Sequence, residues 1–104
     1  MQVSMERFEE AVTAAIDSIP SQFTPFLENV QFVIEANSDD GLLGLYEGST
    51  ALDSGDGLPE RVTIFKAEHE AACATWPELV AEVKRTILHE VGHHFGMDEK
   101  ELPY

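Results

Sequence analysis

The sequence has little positive charge, a single cysteine and no long apolar run. Its 20 acidic residues face only 6 basic ones, which gives a formal net charge of −14. Because nucleic-acid binding depends on Lys and Arg contacts with phosphates, this imbalance argues against a nucleic-acid partner. Cys73 stands alone, so an internal disulfide is excluded and a reducing, cytoplasmic location is expected. No stretch approaches the roughly 18 apolar residues of a membrane span, so no membrane partner is expected.

The length of 104 residues predicts one domain, residues 1–104, with a single modest core. Hydrophobic residues make up 43% of the chain and charged residues 25%, which is typical of a globular protein. The periodicity predicts an N-terminal helix over residues 4–19, ended by Pro20, with Met5, Phe8 and Val12 on its buried face. This helix is expected to lie on one face of a sheet.

Three further segments alternate apolar and polar residues or are rich in β-branched and aromatic ones. They predict strands at residues 30–34, 42–46 and 61–66, the last of them central or semi-buried. Residues 49–59 are expected to form a loop, and residues 67–74 a short helix that carries His69. The fold class is therefore α+β, with two main helices on one side of a small mixed sheet of three or four strands.

The last predicted helix carries the chemistry. A capping box at Thr75–Glu78 predicts its start, and it should run about 20 residues to His94 or Phe95. Residues 86–99 read T-I-L-H-E-V-G-H-H-F-G-M-D-E. His89 and His93 are four positions apart, so on a helix both imidazoles leave one face at a spacing suited to one metal ion.

This H-E-x-x-H arrangement has the composition of a hydrolytic zinc site. Imidazole is a good ligand for Zn²⁺, and the metal lowers the pKa of a bound water to about 7. Glu90 can then act as the general base when that water attacks a carbonyl carbon. Gly96 allows the chain to turn back toward the metal after the helix.

The helix is predicted to have two distinct faces. The expected core face comprises Leu79, Val80, Val83, Ile87 and Val91. Glu82, Arg85, His89 and His93 fall on another face. Glu82 is expected to be a surface carboxylate, and the alternative is a carboxylate that supports a metal ligand. His94 points about 100° away from His93 and is assigned to packing or a supporting hydrogen bond.

Residues 89–99 resemble zincin metallopeptidases with the longer H-E-x-x-H-x-x-G-x-x-(H/D) signature, including the Asp-zincins. The chain as a whole is similar to the compact bacterial zincin-like metallopeptidases, or minimal zincins. Three further stretches carry this resemblance: Q-F-V-I-E (31–35), L-L-G-L-Y-E-G (42–48) and L-P-E-R-V-T-I-F-K (58–66). The resemblance implies a zincin-like fold, one Zn²⁺ ion and a peptide or protein substrate. It also implies a third ligand at Glu99, where the pattern has aspartate, with Asp98 as the alternative.

By the same resemblance, residues 44–46 would be an edge strand that binds an extended substrate, although an ordinary sheet strand is the alternative. Tyr46 would then contact the substrate or simply cover the core. No residue is assigned to oxyanion stabilisation. His69 is expected to be an exposed helix residue, and the alternative is an extra metal ligand. Two rival functions stay open: a metal-binding interaction module with little turnover, and a metal-dependent endoribonuclease of the H-G-x-x-H type, which the charge opposes.

Overall fold

The structure is a computed structural model and describes residues 1–48 and 60–94, with side chains through residue 92. Its elements follow the predicted order, and a 3₁₀ helix lies between the first helix and the first strand. They are α1 (Met5–Asp17), the 3₁₀ helix (Ser21–Phe26), β1 (Val30–Glu35), β2 (Gly44–Glu47), β3 (Glu60–Phe65), α2 (Lys66–Ala72) and α3 (Trp76–His94). The prediction of an α+β fold is confirmed. The predicted loop at 49–59 lies outside the described residues.

The first helix is capped as its sequence predicts. The backbone N–H of Arg7 donates to Ser4 Oγ at 3.1 Å, and the helix ends at Asp17, three residues before Pro20. Phe8 and Val12 are buried as predicted. Met5 is not: it is 40% exposed, because it is the first helical residue and lies beyond the edge of the core.

The described strands form one mixed sheet in the order β1-β3-β2. The central strand, β3, pairs in parallel with β1 and antiparallel with β2. Its residues 62–65 are all buried, which confirms the prediction of a central strand. Within the described part of the chain, β2 pairs with β3 alone and is therefore an edge strand.

The longest of the described helices, α3, contacts both α1 and the sheet. Its start is fixed by the predicted capping box: Glu78 N donates to Thr75 Oγ1 at 3.3 Å, and Thr75 N donates back to Glu78 Oε1 at 3.1 Å. The helix packs against β2 and β3. The first helix makes its main contact with α3, and its buried residues Phe8 and Val12 share one core with Val62 and Ile64 of the central strand.

The core is formed by apolar side chains from α1, β3 and α3. On α3, Leu79, Val83 and Ile87 are fully buried and Val91 is 3% exposed, which confirms these four predictions, while Val80 is only partly buried. These contacts fix the rotation of α3 about its own axis. None of the helices in residues 1–48 and 60–94 has the length and apolar character needed to cross a membrane.

Candidate active site

His89 and Glu90 line the same cleft, between α3 and the chain that enters β2. The cleft has a volume of about 280 Å³. Its helical wall consists of Glu82, Arg85, Thr86, His89 and Glu90. Its opposite wall consists of Leu42, Leu43 and Gly44. A metal-ligand candidate and the candidate general base therefore share one concave surface with the edge strand.

Gly44 brings the edge strand unusually close to the helix. A Cβ atom at this position would lie 2.5 Å from Thr86 Cγ2, 3.3 Å from the carbonyl oxygen of Thr63 and 3.5 Å from Glu90 Cγ. Separations below about 3 Å are steric clashes, so only glycine fits here without a shift. The absence of a side chain at Gly44 thus sets how near β2 can come to Glu90.

A buried hydrogen-bonded chain supports Thr86 from behind. His69 Nδ1 lies 2.8 Å from the carbonyl oxygen of Phe65, and His69 Nε2 lies 2.8 Å from Thr86 Oγ1. Because a carbonyl can only accept, Nδ1 carries a proton. In the neutral ring Nε2 therefore accepts from the Thr86 hydroxyl. The carbonyl of Glu82, 2.9 Å from Thr86 Oγ1, is a competing acceptor for the same proton.

The expectation that His69 is an exposed residue is wrong. Its side chain is fully buried, and its ring centroid lies 5.9 Å from that of Phe8. Burial lowers the pKa of His69, although its hydrogen bond to Phe65 and the negative charge of Glu82 oppose this effect. The neutral ring is thus the favoured form. His69 on α2 and Cys73, the residue that directly follows α2, are both buried, and their spacing of four positions could have indicated that His69 faces the core.

The polar side chains of the cleft wall are partly paired with each other. Arg85 Nη1 lies 3.4 Å from Glu82 Oε2, with the two side chains 57% and 22% exposed. Glu82 was expected at the surface, and it is instead half-buried in the wall of the cleft. The predicted grouping of Glu82, Arg85 and His89 on one helix face is borne out by the lining of the cleft.

Two other reactive side chains, Tyr46 and Cys73, contribute to the packing of the fold and not to the chemistry of the cleft. Tyr46 donates to Glu60 Oε2 at 2.6 Å and packs against the core, which favours the covering role over a substrate contact. Burial, together with that hydrogen bond and the charge of Glu60, raises the pKa of Tyr46. Cys73 is 7% exposed, and burial raises the pKa of its thiol, so it is poorly suited to bind metal as a thiolate.

The remaining predicted ligands belong to the end of the chain. Position 93 is in α3 one turn after position 89, as the H-E-x-x-H spacing requires. Both carboxylate candidates for the third ligand, Glu99 and Asp98, lie outside the described residues. Within residues 1–48 and 60–92, no group of three His, Cys, Asp or Glu side chains could hold a metal ion. The predicted set of three ligands includes residues beyond that part, so it stays a prediction.

Comparison with known proteins identifies the family. The family model for zincin-like metallopeptidases matches residues 9–104, and the chain belongs to this family. Among solved structures, the chain is similar to a conserved hypothetical protein from T. thermophilus. The two are 26% identical with a TM-score of 0.59, over 88% of this chain and 94% of that one. A comparison with curated proteins gives no significant match.

Proposed function

We propose that this protein is a zinc-dependent peptidase that hydrolyses peptide bonds with a metal-activated water and Glu90 as the general base. The observation that carries the proposal is the shared cleft, which holds His89 and Glu90 beside the edge strand β2. Membership of the zincin-like metallopeptidase family supports it independently. The cytoplasmic location expected from the lone cysteine stays a prediction.

The donor set suits zinc. His89 would supply an imidazole nitrogen from a half-buried position at the cleft, and His93 would supply a second from the next turn of the helix. Glu99, or Asp98 in its place, would supply a carboxylate oxygen. A bound zinc ion would lower the pKa of a water ligand to about 7 and polarise the scissile carbonyl.

The side chains of this protein then divide the remaining work. Glu90 takes the proton of the attacking water and can deliver it to the leaving amine. The edge strand β2 offers backbone N–H and C=O groups to an extended substrate, as in β-strand addition. Since Gly44 lies against Glu90, a peptide paired with β2 would be held next to the base.

The test of the reaction compares two carboxylate variants on a zinc-loaded preparation offered a peptide library. Glu90→Gln keeps the shape but cannot accept a proton, so kcat should fall by about 100-fold or more. Glu9→Gln alters an exposed carboxylate on α1 that does not line the cleft, so its kcat should match the parent. Unchanged turnover in Glu90→Gln would refute the role of the base.

The test of the metal site uses adjacent histidines as a matched pair. Protein purified without chelator should contain about one equivalent of zinc by mass spectrometry. His93→Ala should lose it, while His94→Ala should retain it, because neighbouring helical residues point about 100° apart. Equal zinc content in both variants would contradict the ligand assignment.

The third ligand is tested separately. Glu99→Ala should weaken zinc binding at least about tenfold, and Asp98→Ala should weaken it less. The reverse order would assign the site to Asp98.

The rival function, a metal-binding interaction module, predicts normal zinc content in every catalytic variant and no cleavage by the parent protein.

A further inference from the structure

The walls of the cleft are mostly apolar. Next to the candidate catalytic pair, its walls include two leucines, Leu42 and Leu43, and the methyl-bearing side chain of Thr86. Most of the wall surface is apolar, even though Glu82 and Arg85 contribute to it. Those two charged groups pair with each other, which leaves the alkyl parts of their side chains available to line the cleft.

The size of the cleft limits what can enter it. Pockets for drug-sized ligands usually span about 300–1,000 Å³, and this one, at about 280 Å³, lies just below that range. The cleft can therefore hold one bulky side chain more readily than part of the surface of a folded protein. A side chain projecting from a peptide paired with β2 would enter it directly, because Gly44 is both the first residue of β2 and part of the wall.

The charge of the protein restricts the occupant further. With a formal net charge of −14, the protein attracts cationic peptides and repels anionic ones. This long-range field acts on the residues that flank the pocketed side chain, since they stay in solvent.

We propose that the cleft between residues 42–44 and α3 is a specificity pocket for a bulky aliphatic or aromatic side chain in an extended peptide of positive net charge. The proposal rests on the proposed function for its choice of a peptide ligand. It adds to that function a class of sequence that the protein should select. Leu42 is its main discriminating residue, because it is 39% exposed and its side chain is therefore accessible at the wall.

The chain provides a matched control for Leu42. Leu45 is also 39% exposed, but it does not line the cleft. On strand β2 it alternates with Gly44, so its side chain points to the opposite face of the sheet. Aspartate at either position replaces a surface leucine of equal exposure, so a general loss of stability should affect both variants alike.

The experiment measures binding and requires no turnover. Fluorescent peptides of one cationic host sequence carry Leu, Phe, Gly or Asp at a single position, and anisotropy is recorded with the full chain bearing Glu90→Gln. The Leu and Phe peptides should bind at least about tenfold more tightly than the Gly and Asp peptides. Exchanging the flanking Lys residues of the host for Glu should weaken binding, and salt should reduce that difference.

Adding Leu42→Asp should remove the preference for Leu and Phe, whereas adding Leu45→Asp should leave it intact. Equal binding of the Leu and Gly peptides, or an equal loss in both aspartate variants, would overturn the proposal. Binding of no peptide would overturn it as well. If Leu peptides bind through Leu42 while the parent protein cleaves nothing, the pocket stands and the peptidase function falls. If the parent protein cleaves peptides without a side-chain preference, the peptidase function stands and the pocket falls.

Discussion

On α3, the face that packs into the core and the face that lines the cleft differ in composition and exposure. The core face carries Leu79, Val83 and Ile87, all fully buried. The cleft face carries charged and imidazole side chains, among them Arg85 with 57% of its side chain exposed. One helix thus combines a tightly constrained face with a partly solvated one.

The difference shows how so small a domain can hold a reactive site. The apolar contacts fix the axis and rotation of α3, and this rotation directs His89 and Glu90 into the cleft. Substitutions on the two faces should therefore have separate effects, on stability for the core face and on ligand binding or reaction for the cleft face. Variants of each face can test this separation.

The largest expected effect is on the core face. Ile87→Ala removes buried methyl and methylene groups and leaves a cavity, so the free energy of unfolding should fall by about 2–5 kcal/mol. Arg85→Ala, two positions away, removes an exposed side chain whose ion pair with Glu82 is 3.4 Å long. It should change the free energy of unfolding by less than about 0.5 kcal/mol. Urea denaturation of both variants measures the difference. Similar losses in the two would show that the faces are not energetically distinct.

A smaller effect is expected where the edge strand meets the helix. Gly44→Ala places a Cβ atom 2.5 Å from Thr86 Cγ2, so the free energy of unfolding should fall by about 1–3 kcal/mol as the strand shifts. Thr86→Ser removes that methyl group but keeps the hydroxyl that bonds His69. In the double variant, the cost of Gly44→Ala should therefore shrink by at least about 0.5 kcal/mol.

The double-mutant cycle has a clear negative outcome. If the two substitutions are additive, the contact between Gly44 and Thr86 does not limit the approach of β2 to α3. The short distance between the edge strand and Glu90 would then have another cause, such as the contact of Gly44 with the Thr63 carbonyl.

Much of the fold could be predicted because its signals are local. The capping box at Thr75–Glu78 and the apolar spacing from Leu79 to Val91 are enough to define α3 and its buried face. The alternation around Val62 likewise identifies the central strand. In each case the residues that carry the signal are neighbours in the chain, so the sequence alone indicates the element, and on α3 their spacing also indicates which side faces the core.

The site was less predictable because its supporting contacts are distant in sequence. His69 bonds Thr86 across 17 positions, and nothing near His69 indicates that partner. Gly44 has the pattern of an ordinary strand residue, since its close approach to Thr86 exists only after β2 and α3 pack together. The choice between Glu99 and Asp98 stays open because two adjacent carboxylates offer the same chemistry.

The smallest expected effect concerns His69, which lies where the core meets the cleft wall. Burial lowers its pKa in the folded protein below the usual 6.5, so the unfolded chain binds more protons between these two values. Stability supplied by the neutral ring is complete above about pH 6.5 and is lost as the pH falls toward the folded pKa. Because only one group titrates, the free energy of unfolding can change by at most about 1.4 kcal/mol per pH unit. Urea unfolding from pH 7.5 to 5 measures it.

The matched variant is His69→Gln, which keeps a hydrogen-bonding side chain but does not titrate. Its free energy of unfolding should depend less steeply on pH below 6.5 than that of the parent, even if it is lower at pH 7.5. Protonation would add a proton at Nε2, and the Thr86 hydroxyl would then have to turn from His69 to the carbonyl of Glu82. NMR titration of the His69 ring should accordingly show a neutral imidazole with its proton on Nδ1 at pH 6.5. Parallel pH profiles for the two proteins would mean that this buried ring, although central to the contacts behind the cleft, contributes nothing to the acid sensitivity of the fold.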